Sequence, residues 1–167
     1  VKKITNSQKI DYQPLSRVEK SLRDTVGIII AASGNEKRWA ICNYLKIIQF
    51  LKEKNYKKFL IISGLDQSDD ENLIKKRFTQ NTDIIFTSDK KINDVIPYLK
   101  KCKFCIGNDT GFAHLSVNLD IETLVIQGDC PPQSYSKLLK HVDIEPNVAR
   151  SSTSIHTIKI EKVLDEF

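Results

Sequence analysis

Five short apolar runs, rich in β-branched residues, recur along this chain at residues 26–32, 59–63, 84–86, 104–106 and 123–127. None alternates with polar residues over its length, the pattern of strands buried on both faces. The stretches between them have helical spacing. Ile41, Tyr44, Leu45, Ile48 and Leu51 fall on one helix face. Residues 69–79 read as a polar helix with acids first and Lys75, Lys76 and Arg77 last, in accord with the helix dipole. Ile92, Val95, Ile96 and Leu99 predict an amphipathic helix over 93–101, capped by Asn93 and kinked by Pro97. Residues 115–119 read as a short helix and 160–167 as a closing one; between them, beyond residue 132, the pattern fades. Strand and helix in alternation predict an α/β fold, a Rossmann-like parallel sheet with helices on both faces.

The 167 residues suffice for one domain with a core. Residues 1–24 are polar, basic and aperiodic and read as a linker, leaving 25–167 as the domain. Val1 in place of an initiator Met leads us to expect a fragment or a processed chain. No apolar run is long enough to span a bilayer, and the N-terminus lacks the apolar centre of a signal peptide. With four cysteines in no disulfide pattern, this predicts a cytoplasmic protein. The net charge of +5 suits an anionic ligand or a membrane surface; no basic stripe interleaved with aromatics points to nucleic acid. Cys102 and Cys105 form a C-x-x-C without the second pair that zinc requires, and Cys102 is expected at a helix end. His114, His141 and His156 have no metal-ligand spacing, so no metal site is expected.

Gly34, Gly64, Gly107, Gly111 and Gly128 all follow expected strands, so they gather on one edge of the sheet. Ligands of such sheets bind at that edge, near the point where strand order reverses. Two loops there carry chemistry. After the first strand comes Ser33-Gly34-Asn35-Glu36-Lys37-Arg38-Trp39, with two cations near a helix N-terminus. The helix dipole alone disfavours them there, and an anionic ligand would account for them. Trp39 reads as packing. After the fourth strand comes Gly107-Asn108-Asp109-Thr110-Gly111-Phe112-Ala113-His114. It opens a helix whose first N–H groups lack internal partners, the usual seat of a phosphate. Asp109 or Thr110 as a simple helix cap is the competing reading. No G-x-G-x-x-G, no G-x-x-x-x-G-K-[ST] and no G-x-S-x-G is present, which argues against dinucleotide, P-loop and serine-hydrolase sites.

Together, Lys37-Arg38-Trp39 and Gly107-Asn108-Asp109-Thr110-Gly111-Phe112-Ala113-His114-Leu115 resemble segments of the ADP-heptose:lipopolysaccharide heptosyltransferase family (glycosyltransferase family 9), in its order and spacing. The resemblance spans roughly residues 26–130. It implies the C-terminal, donor-binding half of a GT-B glycosyltransferase. It further implies an ADP-sugar or similar nucleotide-sugar donor, no metal, and transfer to a lipopolysaccharide-core glycan through an N-terminal acceptor domain that this chain lacks. Contact with the inner face of the inner membrane goes with it. In that reading Lys37 stabilises the leaving diphosphate. Ser33 lines the phosphate loop, and the amides of Thr110 and Gly111 hold phosphate oxygens. Asp109 accepts from sugar hydroxyls or caps the helix, and His114 donates to a phosphate or is structural. An acid after the second strand, among Asp66, Asp69, Asp70 and Glu71, reads the ribose, with Glu71 favoured because the family carries Glu in that helix's first turn. The family's general base lies in its other domain, so this chain alone is expected to bind donor without turnover. Ala40 stands where the family usually has Pro, and Asp129-Cys130-Pro131-Pro132 is an unusual loop; both leave the sugar and base of the donor open. The rival readings are a non-catalytic nucleotide-binding module, a sugar-nucleotide epimerase with its own acid and base, and an interaction domain without ligand.

Overall fold

The computed structural model describes residues 19–34, 37–78 and 83–167. Most of the expected linker therefore lies outside the described residues. Its end belongs to the fold: Arg23 is buried and donates to the carbonyls of Asp120 (2.7 Å) and Leu119 (3.3 Å).

Six strands form one parallel sheet: β1 (Thr25–Ile29), β2 (Lys58–Ile62), β3 (Asp83–Phe86), β4 (Cys102–Asn108), β5 (Glu122–Gln127) and β6 (Leu139–Asp143). Their order is β3-β2-β1-β4-β5-β6, the doubly wound arrangement. The helices are α1 (Ile41–Glu53), α2 (Ser68–Arg77), α3 (Ile92–Leu99), α4 (Gly111–Asn118) and α5 (Ile160–Leu164). Two apolar layers cover the sheet. Val26, Ile28, Phe59, Ile61, Ile106 and Ile126 pack with Tyr44, Ile48 and Leu51 of α1, Ile74 of α2 and Val163 of α5. Their strand neighbours Ile29, Leu60, Ile62, Cys105 and Val125 pack with Leu99 of α3 and Ala113 and Val117 of α4. Continuous apolar runs are the result, since a parallel sheet with two covered faces leaves no polar side.

Four expectations change. β6 was absent from the sequence pattern: it is an edge strand, with buried Leu139 and Val142 but exposed Lys140, and edges keep polar residues. Cys102 lies in β4 rather than at a helix end. A register shift against β1, where Thr25 pairs with Cys102 and Val26 with Phe104, inserts Lys103 as an extra residue and turns Cys102 and Cys105 into the same apolar layer. Both are free thiols. α3 begins one residue early, so Lys91 and not Asn93 occupies its N-cap, and Pro97 sits inside it. A helix this short loses at most one internal bond to the proline. Finally, α4 starts at Gly111, with Thr110 at the N-cap but without a side-chain cap bond, and the Asp109 carboxylate is bonded to the His114 and Gln127 side chains.

Candidate functional site: a cleft at the switch point of the sheet

Strand order reverses between β1 and β4, where one connection leaves toward β2 and the other toward β5. The two exit loops diverge there and leave a crevice between them. A cavity of about 160 Å³ occupies this place. Ser33 and Lys37 line it from the β1 loop, Asp109 from the β4 loop, and Gly128, Asp129 and Cys130 from the β5 loop. Ser152 and Ile155 close it. Thus residues far apart in sequence, read separately as phosphate-loop and helix-start motifs, share one wall. Thr110 and Gly111 follow Asp109 in the chain and do not line the cavity. Glu71 stands apart: it is 3% exposed, accepts from the Ser63 hydroxyl, and has Lys75 Nζ at 3.4 Å.

Asn108 builds the crevice, and the sequence reading assigned it nothing. It ends β4 at 0% exposure. Its Oδ1 accepts from the Trp39 backbone N–H (3.1 Å) and the Tyr44 hydroxyl (2.8 Å). Its Nδ2 donates to the carbonyls of Ile30 (3.0 Å) and Ala31 (3.3 Å). One amide therefore ties the end of β1 and the start of α1 to β4, and fixes the span that carries Lys37. The signal that could have revealed it is a polar residue closing a buried strand, which must find partners. Trp39 is packing, as expected. It stacks edge-on with Tyr44 (5.4 Å, 89°), and its indole N–H donates to Ile158 (2.9 Å). Burial pushes the Tyr44 hydroxyl well above its usual pKa, so it remains a donor.

Charge in the cleft is mixed. Lys37 Nζ lies 3.0 Å from Asp129 Oδ2. Arg38, the second cation of the motif, pairs instead with Asp66 at the rim. Partial burial pushes the Asp129 carboxyl up, but bonds from Lys37 and the Cys130 thiol outweigh it and hold the group below its usual range. Burial, then the charges of Asp129 and Asp109, push the Cys130 thiol up. Asp109 accepts at both oxygens: His114 Nε2 lies 3.1 Å from Oδ1 and Gln127 Nε2 donates to Oδ2 at 3.2 Å. The Thr110 hydroxyl is buried without a partner among the described residues. A Cβ placed on Gly111 would meet nothing within 4 Å, so the first turn of α4 opens onto free space. At Gly128 the reverse holds: a Cβ would lie 2.2 Å from the Ile155 nitrogen, and glycine is what lets the β5 loop reach the cleft. Among the described residues no group of three or more potential ligands could hold a metal, and no helix is long and apolar enough to cross a membrane.

A lowered carboxyl pKa stabilises the fold above the unfolded value and loses that contribution as pH falls through the folded one. Asp143, held down by Arg150, and Asp24, held down by Lys58, act in the same sense as Asp129. Thermal melts should therefore drop as pH falls below about 4. Asp129→Asn should flatten part of that drop, and an acid limb identical to wild type would show that the Lys37 pair adds nothing to stability.

The comparisons with known proteins bear on the family and the fold. The model of glycosyltransferase family 9 (heptosyltransferase) matches residues 2–162. Comparison with curated proteins finds no match. Among solved structures, the E. coli heptosyltransferase WaaC with ADP superposes at TM-score 0.69 with 16% identity, over 87% of this chain and 43% of that one. The E. coli ADP-heptose lps heptosyltransferase II gives 0.72 and 19%, over 87% and 46%. A family 9 glycosyl transferase from Veillonella parvula DSM 2008 gives 0.69 and 14%, over 89% and 45%. The fold is shared with these proteins, and the chain spans less than half of their length. With the family model matched along nearly all of its residues, the chain belongs to glycosyltransferase family 9, the heptosyltransferases.

Proposed function

We propose that this chain is the donor-binding domain of a glycosyltransferase and holds the diphosphate of a nucleotide-sugar, ADP-heptose or a related donor, in the cleft between β1 and β4. The observation that carries this is the meeting of Lys37 and Ser33 with Asp109, which leads into the open start of α4, across one cavity. Unpaired amides and the helix dipole favour an anion there. The buried Thr110 hydroxyl adds a donor without a partner among the described residues. In the reaction, negative charge grows on the leaving diphosphate as the sugar–oxygen bond breaks. Lys37 and the α4 amides stabilise that charge in place, with no metal required of this chain's residues. Ser33 lines the same wall. Asp109 is engaged by His114 and Gln127. Its charge toward a phosphate is thus partly offset, and its remaining lone pairs are left for sugar hydroxyls. Deprotonation of the acceptor, a lipopolysaccharide-core glycan in this reading, falls to a partner domain at the cytoplasmic face of the membrane.

Calorimetric titration with ADP, UDP and GDP tests the reading. Saturable binding with a preference for ADP supports it; preference for another base moves the donor and keeps the class; no binding by any of them refutes it for this chain. Asp129→Asn supplies a further check. Asp129 is a fixed anion that pairs with the lysine the diphosphate needs, so its neutralisation should tighten ADP binding about two- to tenfold, the scale of one partly exposed charge pair. Unchanged or weaker binding would place the phosphates away from Lys37.

A further inference from the structure

A chain of hydrogen bonds that reaches Asp109 in the cleft begins at a residue no motif singled out. Tyr135 lies between β5 and β6, and its hydroxyl is 2.7 Å from Nδ1 of His114. The two rings are 5.7 Å apart and tilted by 36°. From His114 the chain passes through Nε2 to Asp109 Oδ1, and Asp109 Oδ2 accepts from Gln127. Gln127 is 1% exposed, and its Nε2 also faces Pro131 O at 3.4 Å. A flipped amide would set its oxygen against two acceptors, so the Gln127 orientation is settled.

The donor inventory then fixes the protons. An ionised carboxylate only accepts, so His114 Nε2 carries the hydrogen. In a neutral imidazole the other nitrogen is an acceptor, so the tyrosine hydroxyl donates to it. Burial and the charge of Asp109 push the Tyr135 hydroxyl above its usual range, which keeps it protonated. We propose that Tyr135 is a positioning residue: its hydroxyl holds the imidazole of His114 with Nε2–H on Asp109, and so presets the Asp109–His114 pair for the donor. The part that concerns the donor rests on the donor-binding reading above. Asp109 lines the cavity where the diphosphate would lie. With both its oxygens bonded to N–H groups it repels a phosphate less than a bare carboxylate does. Without the tyrosine hydroxyl the ring is free to turn, and Asp109 Oδ1 loses its donor.

The test is Tyr135→Phe, a change at a side chain 54% exposed, so the fold should survive it. In 15N-labelled protein the Nε2–H proton of His114 should be visible and slow to exchange. In Tyr135→Phe it should exchange about three- to tenfold faster, and Nδ1 should shift toward the value of an unbonded acceptor, as befits one lost hydrogen bond. ADP affinity should fall by a similar factor, with an unchanged melting temperature. Unaltered exchange and Nδ1 shift in the variant would overturn the proposal whatever ADP does. Altered exchange with equal ADP binding by both proteins would overturn the role toward the donor. Altered exchange in a wild type that binds no ADP would sink the donor reading and leave the positioning of His114 standing.

Discussion

Replacing Lys37 by alanine is expected to weaken ADP binding about 10- to 100-fold, the range for a lost hydrogen bond to a charged group. Two effects act in the same direction. The diphosphate loses its cation, and Asp129, which Lys37 pairs at 3.0 Å, is left in the same cavity as an anion without its lysine. The second effect separates this variant from Lys37→Arg, which keeps the charge and should lose much less. Stability should hardly move, because the lysine side chain is 44% exposed and such pairs contribute about 0–1 kcal/mol. Calorimetry on both variants, with melting curves as control, checks this. Affinity of the alanine variant equal to wild type would make the ion pair a surface feature and send the phosphates elsewhere.

Asn108→Ala should be the most destabilising single change near the cleft. It strips partners from the Trp39 N–H, the Tyr44 hydroxyl and the carbonyls of Ile30 and Ala31, all in or beside the buried layer. Unsatisfied buried groups cost about 1–3 kcal/mol each, and water entering the space left by the amide offsets part of that, so a loss of about 3–5 kcal/mol is expected. For a domain of this length it corresponds to a fall in Tm of roughly 6–20 °C. Asn108→Asp keeps the shape but removes both donors and sets a charge against two carbonyls, so it should not rescue. Urea unfolding or calorimetry reads the result; a Tm within about 2 °C of wild type would show that the four bonds are dispensable. Because the same amide holds the β1–α1 span, the variant should also bind ADP more weakly under conditions where it is still folded.

The strands that the chain hides on both faces were legible from their composition. β1, β2 and β5 sit on runs rich in Val, Ile and Leu, and β4 on Phe104-Cys105-Ile106; continuous apolar runs of this length suit strands covered by helices on both faces. Helix α1 was legible from its period, since Tyr44, Ile48 and Leu51 form one buried stripe. The edge strand β6 was not, because an edge tolerates Lys140 and loses the apolar signature. Nor was the facing of Cys102, which depends on a bulge against β1 and so on a partner strand that local sequence does not record. Near the cleft, the two motifs announced Lys37, Asp109 and the start of α4. Their companions are Gln127 at the end of β5 and Asp129 and Tyr135 in the segment after it, which carries no recurring pattern.

Periodicity, composition and loop chemistry are properties of neighbouring residues, and from them follow the class of fold, the sheet edge where the glycine loops gather and the polar, charged character of two of those loops. Which side chains meet there is a property of strand order. Only the strand order β1-β4-β5 sets Asn108 under Trp39, Asp129 against Lys37, and Tyr135 and Gln127 at the two ends of the Asp109–His114 pair. These contacts join segments far apart in the chain, so their free energy appears only after the sheet has closed, and no local pattern in the sequence encodes them.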